Sequence, residues 1–550
     1  MTSQRSLRIK TSIIGAFVLF LAALTVVIGI AAQAQQADSQ PSAKSSATPA
    51  TESRLQTKQH DPRIPATNSL SFLPAVPYDT GGDEATSVAV ADVNGDGKPD
   101  IIVANICAKS TRAQCGLTKG SVAIFLGNGD GTFLPAVNYG SSGVEDLSVA
   151  VADFNGDGKL DLVVTNAYGC LNNKCPHGSV DVRLGNGDGT FQPSVAYDSG
   201  GAGAWSVAVA DVNGDGKLDL VVANAYDSTV SVLLGKGDGT FSGAVVYNPG
   251  GLGPVSVAVA DVNGDGKLDL VLGNECAGSS CLQNGGVGVL LGNGDGTFLP
   301  AVSYSSGGSQ STSVAVADVN GDGKPDIVVV NYYPSDTVGV LLGNGDGTFQ
   351  SAVVYDSGGQ QPYSVAVADV DLDGKPDLLV ANIAYDVGIL LGNGDGTFQS
   401  ALDFQPGGVY PQSIVAADLN GDGKPDLVVA TNYTYGSNED GGIGVLLNNT
   451  TVVQSTTSTA LTSSLNPSVH GQSITWTATV TTSGSIAPTG TVNFKRGPDG
   501  MGTGTLNASG VATFTTSILK PGPYKITAVY KGDASNLGST STVLHQGVKR

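Results

Sequence analysis

Beyond Ser71 the apolar residues fall in short runs that return along the chain in a fixed order. In the first copy the runs are Ser87–Ala91 (SVAVA), Ile101–Ala104 (IIVA), Ser121–Leu126 (SVAIFL) and Phe133–Tyr139 (FLPAVNY). They are too short for helices, rich in Val and Ile, and bounded by Gly, Asn and Asp, so each copy predicts four strands. GNGDGTF (Gly127–Phe133) separates the third and fourth, and its Asn-Gly and Asp-Gly pairs supply the positive φ of hairpin turns. Between the first and second runs lies an acidic nonapeptide, DVNGDGKPD (Asp92–Asp100).

The nonapeptide starts again at Asp153, Asp211, Asp261, Asp318, Asp369 and Asp418, at intervals of 61, 58, 50, 57, 51 and 49 residues. A self-similar period of this size is the mark of a repeat architecture. Four antiparallel strands per repeat predict the blades of a β-propeller, whose sheets pack on neighbours through both faces. The first three strand types occur seven times, but the turn followed by a fourth strand occurs six times. The seventh copy stops at Leu446-Leu447-Asn448, while Ser71–Tyr78 (SFLPAVPY) is a fourth-strand sequence with no blade before it. That segment is expected to pair with the last blade and close the circle, leaving no strand edge open. The expected fold is all-β: a seven-bladed β-propeller over 70–450 closed by an N-terminal strand, then an Ig-like β-sandwich over 451–550. The second unit is read from Thr475–Val480, Gly490–Phe494, Val511–Thr515 and Tyr524–Tyr530, which alternate Thr with apolar residues between Gly and Pro turns.

The nonapeptide has the oxygen-rich spacing of a calcium loop. Asp92, Asn94 and Asp96 offer side-chain oxygens, Gly97 permits the bend, and Lys98 offers its backbone carbonyl. Asp100 is expected to take the closing place that a glutamate fills in a helix-flanked calcium loop. The same roles fall on Asp153, Asn155, Asp157, Lys159 and Asp161, and on Asp211, Asn213, Asp215, Lys217 and Asp219. They recur at Asp261, Asn263, Asp265, Lys267 and Asp269, and at Asp318, Asn320, Asp322, Lys324 and Asp326. The last two sets are Asp369, Asp371, Asp373, Lys375 and Asp377, and Asp418, Asn420, Asp422, Lys424 and Asp426. A turn rich in Asp and Asn that binds nothing is the alternative, but carboxylates so crowded would repel one another without a cation. About seven structural Ca²⁺ are therefore expected, one per loop.

On these residues the chain resembles the FG-GAP/VCBS family, the blade type of the integrin α-subunit propeller, in which a DxDxDGxxD loop between the first two strands holds calcium. The likeness covers Ser71–Asn449 and implies calcium at each matching loop. GDGTF and PAV stand where the family has its Phe-Gly and Gly-Ala-Pro signatures, so an integrin type of ligand choice is not implied. In the tail, "GTVNFKRG…SGVATFTTSILKPGPYKITAVYKGD" resembles bacterial Ig-like domains of cell-surface proteins, which implies spacing or adhesion and no catalytic site.

Charge and cysteines set the compartment and the partners. The net charge of −21 argues against nucleic acid, which needs clustered Lys and Arg. Arg5, Arg8 and Lys10 precede an apolar run, Ile13–Ala32, and Ala32-Gln33-Ala34 has the form of a cleavage site. Residues 1–34 are thus expected to be a signal peptide, with an uncleaved membrane anchor as the alternative, and 35–69 a disordered linker. The protein is expected to be secreted or at the cell surface, and monomeric. Cys107 and Cys115, Cys170 and Cys175, and Cys276 and Cys281 form three close pairs, which in an exported chain are expected to be disulfides. All three fall between second and third strands, in the longer repeats.

Strand alternation places those connections on the rim opposite the acidic loops. Every second strand there is read as ending in asparagine, at Asn105, Asn166, Asn224, Asn274, Asn331, Asn382 and Asn432, a position expected to be architectural. Tyr168, Tyr226, Tyr332, Tyr333, Tyr385, Tyr433 and Tyr435 follow, with Trp205, Tyr363 and Tyr410 on adjacent loops. Such aromatic residues, different in each repeat, are expected to bind a ligand, an extracellular glycan or a surface or matrix protein. The alternative function is a polysaccharide lyase or glycosidase on a propeller scaffold. Paired carboxylates outside the loops would be required for it, and Glu145, Asp146, Glu275, Glu439 and Asp440 show no pairing in the sequence. No enzyme activity is expected.

Overall fold

The computed structural model describes residues 69–550 except 109–118, 170–176, 279–284, 333, 435–439, 452, 453, 485 and 534. The expected export signal and almost all of the spacer lie outside the described residues. From Ser69 to Asn449 the chain forms seven four-stranded antiparallel sheets. In the first, Gly82–Ala91, Asp100–Ala108, Ser121–Phe125 and Val137–Gly140 are hydrogen-bonded in sequence order. The seventh is completed by Val76–Asp79, which pairs antiparallel with Gly442–Leu446, Val76 opposite Val445 and Tyr78 opposite Ile443. The N-terminal strand thus closes the ring as expected.

Three repeated features carry the ring from sheet to sheet. Apolar side chains of successive sheets form one core per junction, and the last unites Val88, Ile101 and Ala123 of the first sheet with Val428, Ala430 and Ile443 of the seventh. The serine of each SVAVA motif accepts a hydrogen bond from an inner-strand N–H of the next sheet: Val149 N–H donates to Ser87 at 3.3 Å, Val207 N–H to Ser148 at 3.4 Å, and Val314 N–H to Ser256 at 3.1 Å. Val88 N–H donates to Ser413 at 3.4 Å and completes the cycle. The phenylalanine of GDGTF meets an aromatic ring of the preceding sheet edge-on, as Phe191 does Tyr139 at 5.7 Å and Phe298 does Tyr247 at 5.6 Å. Phe72 with Phe404 and Phe133 with Tyr78 make the same contact at 5.2 and 5.8 Å across the closing strand. This edge-to-face geometry adds about 0.5–1.5 kcal/mol per pair beyond the area buried.

Small residues on the third strands have a steric cause. A Cβ at Gly288 would lie 1.8 Å from the Pro249 carbonyl oxygen, and one at Gly444 1.6 Å from that of Pro406. The incoming connection lies over the strand there, so GVGVL and GIGVL tolerate no side chain.

The fourth strands are shorter than the apolar run suggests. Phe133 makes only an isolated bridge to Gly127, and the paired strand begins at Val137. The first strands are longer, because Gly82–Ser87 continues SVAVA across a bulge between Ala85 and Ser87. After the ring, Thr457–Ser463, Ile474–Thr482 and Val511–Thr516 form one sheet of the second unit, and a sheet built on Thr491–Arg496 and Gly522–Gly532 packs against it. Trp476, fully buried, stacks on Phe514 at 6.2 Å.

Candidate functional site

Each acidic loop is curled by its own side chains. Asp92 accepts the N–H groups of Gly95 at 2.7 Å, Asp96 at 3.1 Å and Gly97 at 2.7 Å. Asn94 accepts Asp96 N–H, and Asp96 accepts Lys98 N–H, both at 2.9 Å. Gly95 and Gly97 take φ of 73° and 80°, where a side chain would strain the backbone. The pattern returns at Asp211, Asn213 and Asp215, where Asp215 N–H reaches Asn213 at 2.8 Å and Gly216 N–H reaches Asp211 at 2.7 Å. Oxygens of positions one, three and five are thereby gathered on one exposed loop. Lys98 Nζ lies 3.4 Å from Asp96 Oδ2, and its counterparts lie 2.7 to 3.9 Å from theirs. Its aliphatic stem lies about a van der Waals contact from Gly129, joining the acidic loop to the hairpin turn.

Position nine has a different place. Asp100 is fully buried; Val93 N–H donates to its Oδ2 at 2.9 Å and Gly127 N–H to its Oδ1 at 2.8 Å. The same two bonds form at Asp219, from Val212 at 3.0 Å and Gly235 at 2.8 Å, and at Asp426, from Leu419 at 2.9 Å and Asn448 at 2.6 Å. Position nine thus pins the start of the loop to the end of the third strand. In none of the seven loops does it join positions one and five with ligand oxygens all within 4.8 Å of one another. This tie between strands is a role that the spacing of the loop does not show. Burial drives the carboxyls of Asp100 and Asp219 upward, the two N–H bonds opposing it in each.

The fit to a cation is clearest in the sixth loop. One carboxylate oxygen from each of Asp369, Asp371 and Asp373 lies within 4.8 Å of the others. Burial, then repulsion from Asp373 and Asp369, pushes Asp371 up to about 6, and burial pushes Asp377 up to about 7. Like charges gathered this closely suit a divalent cation with hard oxygen ligands. The other six loops hold two carboxylates and an amide oxygen in the same curl. The hairpin turns are satisfied internally instead: Thr132 donates its N–H at 3.0 Å and its hydroxyl at 2.6 Å to Asp130.

The opposite rim gathers the aromatic residues. Tyr168 and Tyr226 lie 5.6 Å apart at 36°, and Trp205 meets Tyr226 at 6.2 Å. Tyr332 meets Tyr363 at 6.5 Å, and Tyr410 lies 5.1 Å from Tyr385 and 6.0 Å from Tyr433. Tyr333 and Tyr435 lie outside the described residues. Trp205 and Tyr363 stand in inner strands rather than in loops. They belong to the third and sixth sheets, nearly opposite in the ring. Burial pushes the Tyr363 hydroxyl up to about 12.

One sequence expectation changes here. In the seventh sheet Thr431, opposite Gly442, takes the buried place of Asn105, opposite Ser121; Asn432 is displaced by one residue. The asparagines that do align are buried against the glycines of the incoming connections, as Asn105 is against Gly82 and Asn274 against Gly251, which suits the architectural role. Cys107 and Cys276 are buried and neither is a free thiol. Cys115, Cys281, Cys170 and Cys175 lie outside the described residues.

The second sheet also holds charges that no other repeat has. Asp146, fully buried, accepts Asn166 Nδ2–H at 3.1 Å, and its carboxyl lies well above the usual range because of burial. Asp181 accepts Ser142 N–H at 2.5 Å, and the Arg183 guanidinium lies 5.6 Å over the Tyr139 ring. An acid raised on folding destabilises the fold as pH rises above its unfolded value, near 4. Asp146→Asn is therefore expected to gain stability relative to the parent as pH goes from 5 to 8, measured by urea unfolding at each pH. A difference independent of pH would contradict the buried charge.

The family profile settles the resemblance. The FG-GAP-like repeat profile matches residues 115–164, 171–222, 211–272, 279–329, 318–380 and 369–429, and the FG-GAP repeat profile matches 85–105. The chain belongs to the FG-GAP repeat family. A bacterial Ig-like domain (group 3) matches 461–549 of this FG-GAP protein. Among solved structures, the periplasmic gluconolactonase of Pseudomonas aeruginosa matches at 18% identity and TM-score 0.43, over 61% of this chain and 95% of that one. The V. cholerae biofilm matrix protein Bap1 matches at 15% and 0.40, over 70% and 91%, and a Lactobacillus plantarum protein at 14% and 0.40, over 60% and 88%. No curated protein matches the chain.

Proposed function

We propose that this FG-GAP protein is an extracellular binding module, a calcium-stabilised ring that presents an aromatic face to a glycan or a surface protein. The observation that carries the reading is the division between the two rims. One carries seven near-identical acidic loops, whose uniformity suits a structural cation. The other draws aromatic side chains that differ between repeats to the mouth of the ring, as Tyr168, Tyr226 and Trp205 are drawn together. Uniform positions serve architecture and variable exposed ones serve recognition.

Calcium at positions one, three and five, with the lysine carbonyl, would neutralise the loop carboxylates and hold the curl. The cysteine pairs, as disulfides, would brace the longer connections on the ligand face. A glycan and matrix-protein array, screened with and without calcium, tests the reading. Retention without turnover, weakened by chelation, is expected; turnover of a retained glycan would replace it with an enzymatic function.

A further inference from the structure

The mouth carries charge as well as rings. Every inner strand opens with a residue in the left-handed region just before its bulge, and glycine is the unstrained choice, as at Gly203 (φ 74°) and Gly253 (φ 62°). The first two sheets place Glu84 (φ 55°) and Glu145 (φ 62°) there, and the last three place Gln310, Gln361 and Tyr410 (φ 53°, 59° and 58°). Glu84 accepts the Tyr433 hydroxyl at 2.7 Å, and Glu145 is close enough to feel its charge. From the fourth sheet Glu275 reaches the site that a Cβ on Gly253 would occupy, 3.0 Å away. Both Glu145 and Glu275 act on the Tyr226 hydroxyl, and Glu275 also acts on Tyr363. Among the described residues no lysine or arginine pairs with either glutamate. Acids therefore share this rim with the aromatic rings.

We propose that this mouth binds an amine-bearing oligosaccharide, its protonated amino groups held by Glu145 and Glu275 and its sugar rings laid on the tyrosines between them. The inference rests on the reading of this face as a ligand surface and names the ligand class. Carboxylates beside aromatic faces attract an ammonium group through both charge and the ring quadrupole. The tilted pairs Tyr168–Tyr226 and Tyr385–Tyr410, at 36° and 40°, offer broad adjacent ring surface that suits the flat apolar face of a pyranose. Tyr168 and Tyr385 leave 38% and 47% of their surface open to it. A slender lysine stem would need no such platform.

The test uses the full calcium-loaded chain, titrated with glucosamine hexamer, N-acetylglucosamine hexamer and hexalysine. Trp205 fluorescence reports binding, since the other tryptophan, Trp476, is fully buried in the Ig-like unit. Glucosamine hexamer is expected to bind saturably, with each charged contact worth about tenfold, so that the uncharged acetylated hexamer, which loses both, binds about a hundredfold more weakly. Glu145→Gln and Glu275→Gln are each expected to weaken the first hexamer about tenfold and leave the second unchanged. Should Glu145→Gln fail to fold, the exposed Glu275→Gln carries the comparison. Equal affinity for both hexamers would overturn the charged site while leaving a glycan-binding face. Tighter binding of hexalysine would overturn the sugar assignment. If the hexamers do not bind but the array retains another ligand, only this inference falls; if nothing is retained, the binding-module reading falls with it.

Discussion

Asp219→Ala is expected to lower the stability of the ring by about 3 kcal/mol, even in a chelator where no cation contributes. The carboxylate is fully buried and accepts Val212 N–H at 3.0 Å and Gly235 N–H at 2.8 Å. Alanine leaves both donors buried without a partner, and each such group costs roughly 1–3 kcal/mol. Asn retains one acceptor and turns an N–H toward the other donor, so Asp219→Asn should fall between alanine and the parent. Urea unfolding in chelator measures the order. An alanine variant within about 0.5 kcal/mol of the parent, the range of an ordinary surface substitution, would show that position nine is not a tie between strands.

Removal of calcium is expected to have the larger effect. A ligand that binds only the folded state adds roughly 2.7 kcal/mol per site at a hundred times its Kd, so loading several of the seven loops sums to about 10 kcal/mol. The carboxylates it offsets lie close together, above all Asp369, Asp371 and Asp373. Chelation should lower the melting temperature by on the order of 10 °C. Calcium should restore it more fully than magnesium, which demands near-octahedral geometry and gives up its waters reluctantly. A melt unchanged by thorough chelation would count against a structural cation.

Much of this fold was legible in the sequence because the repeat supplies its own control. Seven copies of one pattern expose the strand order, and the unmatched SFLPAVPY at the start names the partner of the unfinished seventh sheet. What escaped was the work of residues whose partners lie in another sheet. The serine of SVAVA reads as a polar interruption of a strand, yet its hydroxyl joins adjacent sheets. The phenylalanine of GDGTF reads as the start of a fourth strand, yet its ring latches onto the preceding sheet.

The candidate sites divide in the same way. The acidic loops were visible because their bonds are local, Asp92 to Gly97 within one turn. The tie made by Asp100 was hidden because spacing suggests a ligand and cannot show the strand end at Gly127. Glu145 and Glu275 looked unrelated, 130 residues apart, until the ring brought both to Tyr226. The one available signal was the repeat alignment: Glu84 and Glu145 where Gly203, Gly253, Gln310, Gln361 and Tyr410 stand in other repeats.

The central claim is that the acidic loops of one rim are cation sites, and counting the metal tests it most directly. The chain, stripped by chelator, dialysed against millimolar calcium and assayed for metal by elemental analysis, should hold close to one ion for each of its seven loops. Fewer than about two per chain would contradict the account.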